Sequence, residues 1–369
     1  MSESALLTTI GTEGAAVRHR ATPVGLTTTL HPDVDATLER IAVVDRVATG
    51  ILRDRLTTML AGVSAGPWGA DTSWQFSRLT STGMPVELSF ASDRPELRAT
   101  VEVAGPQLPE GRRLAAAVDV AQRLGAQVPV DIVAAVVPRQ RAGALQWGAR
   151  LSVGSDGTST TMTLYAETPS RRVGSATPGP CGRLDKSVLR AMALAPSASQ
   201  LRMVGVEAGS EAVELRLQAR LDTWSLGILC RRFGHTGRDR EIVAILAELG
   251  GRPADVTLRS GRIGWSITER SRDRSGSLAI VIPASALCRS DTELRRRLLT
   301  AAGRHGWDLS RYDAAAGPLA VAHCAVHGQI TIAVADDMPP AVHVGLRPFA
   351  PTSADAEHCP VAVACAAVR

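Results

Sequence analysis

The sequence predicts an α+β fold in which ten antiparallel strands close into a barrel ringed by α-helices. Three observations predict it: a two-residue hydrophobic period that returns in pairs, helical segments between the pairs, and polar residues alternating with apolar ones along the strands. Residues 1–34 carry little periodicity and read as a lead segment, 35–349 as one barrel domain, and 350–369 as a tail. From Asp35 a helical pattern runs through Leu38, Ile41, Ile51, Leu52, Leu56 and Leu60, ending near Gly62.

The first hairpin pairs Met84–Phe90 with Leu97–Val103 across Ser92–Pro95, and a helix over Gly111–Leu124 follows. Another apolar stretch covers Val130–Val137. The unit then recurs. Ala144–Val153 pairs with Thr160–Glu167, Gln200–Glu207 with Ala212–Leu221, and Asp255–Thr268 with Leu278–Ile282. A fifth pair sets Leu319–His327 against Gln329–Ala335 with Gly328 as the turn. Helices are expected over Lys186–Ala195, Trp224–Arg232, Arg240–Leu249 and Thr292–His305, so the chain reads as five αββα repeats.

Closure is favoured because it removes exposed edges, and helices emitted after every hairpin can cover only the outside. On that reading Leu97, Val101, Leu164, Leu215, Ile330, Ile332 and Val344 face the helices. Glu87, Arg98, Glu102, Arg150, Thr163, Tyr165, Glu214, Arg216, His327 and His343 face a lumen. An open sheet, helices on one face and water on the other, gives the same alternation.

With 369 residues, 45% hydrophobic and 21% charged, the chain can bury a full core and is neither disordered nor a small disulfide scaffold. No run reaches the about 18 apolar residues of a membrane-spanning helix, and the six scattered cysteines form no CxxC, which points to a reducing cytoplasm. The net charge is +5, but basic and acidic residues are interleaved, leaving no stripe for nucleic acid. Lys186 is the only lysine, so an anion site must use guanidinium forks, backbone N–H groups or histidine.

The stretch Gly83-Met-Pro-Val-Glu87-Leu-Ser89, set on the first of five helix-strand-strand-helix units, resembles the ABBA (PT-barrel) aromatic prenyltransferases, and within them the indole, dimethylallyltryptophan synthase-like branch. The resemblance spans about 35–349. It implies a prenyltransferase of secondary metabolism that moves a prenyl group from an allylic diphosphate to an aromatic acceptor, with no metal and no cofactor. It further implies that Glu87 accepts a hydrogen bond from the indole N–H and that Arg98, on the returning strand, binds the diphosphate. The family's Lys-x-Tyr is Thr163-Leu-Tyr165 here, and its Arg-x-Lys-x-Tyr is Arg216-Leu-Gln218-Ala-Arg220. Tyr165 is then the cation shield, while Arg216, Gln218, Arg220 and Arg347 complete the substrate site, with Trp265, Trp74 or Trp147 as further aromatic faces.

Other readings stay open. Glu87 also suits a structural cross-strand pair with Arg98. His323-Cys-Ala-Val-His327 has metal-ligand spacing on a helix, but on a strand the two histidines lie roughly 13 Å apart, too far for one ion. His323, His327 or His343 then serves as a base in the lumen. The alternative function keeps the barrel and drops the donor, with cyclisation or isomerisation of a preformed natural-product intermediate; a non-catalytic binding protein is the third class. Partners are small molecules, without nucleic acid or membrane, and the protein is a monomer or homodimer.

Overall fold

The computed structural model describes residues 30–64, 76–169, 183–196, 199–260, 263–269, 276–320, 326–335 and 338–349. Ten strands form one closed antiparallel barrel: β1 (Val86–Ala91), β2 (Leu97–Val101), β3 (Ala149–Ser155), β4 (Thr160–Glu167), β5 (Gln200–Glu207), β6 (Val213–Gln218), β7 (Gly264–Glu269), β8 (Ser277–Pro283), β9 (His327–Val334) and β10 (Ala341–Leu346). Each strand pairs with its chain neighbour, and β1 pairs with β10 through Leu88↔Leu346 and Phe90↔Val344, so no edge is left open.

Alternation sorts the two faces of the closed sheet. Leu97, Val101, Leu151, Leu215, Ile332 and Val344 are fully buried and point outward into a core shared with the helices. Among the described residues those helices are α1 (Pro32–Ala42), α2 (Arg46–Ser64), α3 (Glu110–Arg123), α4 (Val130–Arg141), α5 (Arg183–Leu194), α6 (Thr223–Arg232), α7 (Arg238–Gly250), α8 (Ala254–Leu258), α9 (Ala284–Leu287), α10 (Asp291–His305) and α11 (Ser310–Ala316). Helix α2 lies across β2 and β3 and buries Leu52, Leu56 and Met59. No described helix is long and apolar enough to cross a membrane.

Four expectations need correction. The single helix from Asp35 is two helices, because Asp45 accepts the Ala48 N–H at 3.0 Å and caps a new start. The first of them begins at Pro32, inside the expected lead segment, where proline suits the first turn. Asp255 is not in a strand: Pro253 opens the short helix α8, and the strand begins only at Gly264. The fifth hairpin is β9–β10, not a pair turning at Gly328; Leu319 lies in a 3-10 turn (Gly317–Ala320), and 321–325 fall outside the described residues.

Gly328 has another role. Val344 pairs with Ile330 but Leu346 pairs with His327, so Gly328 and Gln329 together oppose the single residue Gly345. This β-bulge reverses the facing of His327, which joins Leu346 on the outer side instead of the lumen.

Candidate active site

The barrel encloses a cavity of about 280 Å³. Its wall is built from the inward positions of all ten strands, including Glu87 and Ser89 of β1, Arg98 of β2, Tyr165 of β4, Arg216 of β6 and His343 of β10. A ten-stranded barrel is too wide for side chains alone to fill, and this lumen is accordingly polar.

Glu87 is buried, and its Oε2 has no hydrogen-bond partner. Burial pushes its carboxyl up to about 7, against the charges of Arg150 and Arg216 and a hydrogen bond from the backbone of Gln329. The carboxyl rests on two glycines. A Cβ at Gly328 would fall 1.9 Å from Oε2, and one at Gly345 would fall 2.8 Å from Cδ, so only bare backbone leaves room for it. Glu87 does not pair with Arg98 across the hairpin; its cross-strand partner in register is Thr100.

Arg98 donates through Nη2 to Glu96 (2.9 Å to Oε1) and Thr161 (3.2 Å), and through Nη1 to Thr163 (3.2 Å). Burial raises the cost of the Glu96 charge, yet Arg98, Thr161 and Arg94 hold that carboxyl below its ordinary value. Tyr165 lays its ring over Gly205, where a Cβ would sit 2.7 Å from Cε1, and donates to Glu214 at 3.2 Å. Burial and the adjacent Glu214 push its phenol far above the usual range, so it stays neutral. Arg216 donates to Gln329 Oε1 (2.9 Å) and to Glu214 (3.3 Å). Arg150 donates to Glu102 (3.0 Å), and its guanidinium sits 4.2 Å over the Trp147 ring. Each of these three arginines therefore has a carboxylate partner. His343 lines the cavity with Nε2 3.3 Å from Asp93.

The structure thus brings Glu87, Arg98, Tyr165, Arg216 and His343 together. It does not bring in the rest. Trp265 is fully buried and points outward against Phe233, because it alternates along β7 with Ser266, which lines the lumen. Arg220 lies past the end of β6 and is exposed. Gln218 has inward parity but does not line the cavity, and neither does Arg347, which lies beyond β10. His327 faces outward, and Trp147 stacks with Arg150 before β3 begins. His323 and Trp74 fall outside the described residues. Arg150, Glu214 and Gln329 also line the cavity; the signal for all three is strand parity, at Gln329 its alternation with Ile330 and Ile332.

The chain is similar to solved prenyltransferase structures. 5-Dimethylallyltryptophan synthase from Streptomyces coelicolor, in complex with DMASPP and Trp, superposes with a TM-score of 0.65 at 17% identity, covering 87% of this chain and 95% of that one. The chain has the prenyltransferase-barrel fold. The apo form of prenyltransferase PriB gives 0.66 at 17% identity, over 88% of this chain and all of that one (100%). 6-Dimethylallyltryptophan synthase from Micromonospora olivasterospora gives 0.62 at 18%, over 86% and 98%. No protein-family model and no curated protein matches the sequence. In this prenyltransferase barrel the lumen carries a buried carboxylate on the first strand and an arginine on the second, the placement the sequence resemblance implies.

Proposed function

We propose that the chain transfers a prenyl group from an allylic diphosphate to an indole-type aromatic acceptor inside the barrel. The observation that carries this reading is Glu87: a sheltered carboxyl with one unpartnered oxygen, in a chamber also lined by Arg98, Arg216 and Tyr165. As a carboxylate, Glu87 accepts the acceptor's N–H, fixes the ring and raises its electron density. The allylic C–O bond breaks, and its electron pair leaves on the diphosphate, where guanidinium donors stabilise the growing charge. The aromatic π-pair forms the new C–C bond, and the ring then returns its proton to a base. Tyr165 offers the cation one aromatic face, worth about 0.5–2 kcal/mol. His343, 3.3 Å from Asp93, is the second proton-handling group in the wall. We assign the reaction to the cytoplasm, a reading that the free thiols of Cys230 and Cys288 support.

A second reading draws on the pairing of Arg98, Arg150 and Arg216 with Glu96, Glu102 and Glu214. A lumen with compensated cations suits an uncharged natural-product intermediate, cyclised or isomerised by proton transfer at Glu87. One experiment separates the two. Dimethylallyl diphosphate at millimolar concentration is expected to raise the melting temperature, Arg98→Ala to abolish that rise, and tryptophan or indole to gain one prenyl mass. An unmoved melting temperature and no mass gain would reject the first reading.

A further inference from the structure

We propose that Asp291, His327 and Tyr312 form a positioning relay outside the barrel that sets where the Glu87 carboxyl lies inside it, acting through the bulge at Gly328–Gln329. The inference rests on the reading of Glu87 as the acceptor's hydrogen-bond partner. It begins with three buried polar side chains that the chemistry does not use. Asp291 opens α10, Tyr312 lies in α11 and His327 opens β9, so three elements converge on one point.

These three side chains satisfy one another. Asp291 accepts the backbone N–H groups of Val326 (2.9 Å) and His327 (3.1 Å), and its Oδ1 also takes His327 Nδ1–H at 2.6 Å. That contact assigns the proton to Nδ1 and leaves Nε2 free to accept the Tyr312 hydroxyl at 2.7 Å. Such a network is rigid because breaking any link strands a buried polar atom.

Its grip on His327 has a consequence in the lumen. With the imidazole drawn outward beside Leu346, two residues must oppose Gly345, and the extra one is Gly328. Its backbone is what Glu87 Oε2 lies against, since a Cβ there would fall 1.9 Å away. The next residue, Gln329, faces inward in regular alternation with Thr331 and Ala333, and its Oε1 takes Arg216 Nη1 at 2.9 Å. The anchored strand end therefore supplies the bare backbone under the carboxyl, one residue before the side chain that holds Arg216. Were His327 released, the ladder would be free to return to plain pairing, with His327 inward and Gly328 out of contact with Glu87.

The test uses the full chain and two readouts. Tyr312→Phe and His327→Asn each remove the Nε2 contact, and His327→Asn keeps a donor toward Asp291; Gly328→Ala leaves the relay intact and fills the slot. The first readout is the infrared carboxyl band of Glu87, isolated as wild type minus Glu87→Gln, which needs no turnover. The band is expected to shift in Gly328→Ala and in whichever relay variants stay folded. The second is kinetic: kcat falls about tenfold with the donor KM within about twofold, and no variant loses further activity when combined with Glu87→Gln. An unmoved Glu87 band in a folded Tyr312→Phe or His327→Asn protein overturns the relay. Absence of prenylation in wild type instead overturns the reaction assigned above and leaves the infrared result to decide the relay.

Discussion

Glu96 holds Arg98 at 2.9 Å inside the barrel mouth, with only 9% and 20% of the two side chains exposed. The pair shares the inward face at the start of β2, so the guanidinium best placed for an anion is already neutralised. A diphosphate must displace or share that partner. Glu96→Gln is therefore expected to tighten binding of inorganic diphosphate about tenfold, the 1.4 kcal/mol of one charge-assisted contact. Calorimetric titration checks this. Equal or weaker affinity in Glu96→Gln would show that Arg98 is not an anion site.

Glu87 makes stability and rate respond to pH in opposite directions. Its folded carboxyl titrates near 7 and its unfolded one near 4.5, so the folded state holds the proton more tightly. The stabilisation is complete below about pH 4.5 and is lost as pH rises through 7, on the order of 3 kcal/mol in all. Glu87→Gln is expected to flatten melting temperature against pH across that window. The acceptor contact needs the carboxylate, so kcat/KM should climb through an apparent pKa near 7 in wild type and lose that limb in Glu87→Gln. A wild-type melting curve already flat from pH 5 to 8 would mean that Glu87 is not desolvated in solution.

Much of this site is legible in the sequence, and the departures share a cause. Strand parity places Glu87, Arg98, Tyr165, Arg216 and His343 on one wall because their strands are regular between the hairpin turn and the middle of the barrel. Parity marks Trp265 as well, flanked by Ile263 and Ile267 in an apolar outward row, once the strand begins at Gly264 rather than at Asp255. His327 is different. Nothing local in His-Gly-Gln distinguishes a turn from a bulge, and the deciding contacts come from Asp291 and Tyr312, 36 and 15 residues away in the chain. Glycine carries the least signal. Gly205, Gly328 and Gly345 are lumen positions whose missing side chains make room for Tyr165 and Glu87, and a sequence shows only that something is absent there.

The Tyr165–Gly205 contact gives a prediction that separates ring from hydroxyl. The ring crosses Gly205 on its way from β4 to Glu214 of β6, a cross-strand packing in which aromatic surface covers a glycine. If the ring face shields an allylic cation, Tyr165→Phe keeps that face and loses only the 3.2 Å bond to Glu214, so turnover should drop no more than about threefold. Tyr165→Ala removes the face, and kcat should fall by about two- to thirtyfold, the range that 0.5–2 kcal/mol allows. Gly205→Ala should mimic Tyr165→Ala in rate, because its Cβ would occupy space 2.7 Å from Cε1 and force the ring out, at a stability cost of about 1–3 kcal/mol. Steady-state kinetics of the three variants, with thermal melts alongside, decide the matter. A Phe variant as slow as the Ala variant would move the role of Tyr165 from its ring to its hydroxyl, and with it to proton transfer through Glu214.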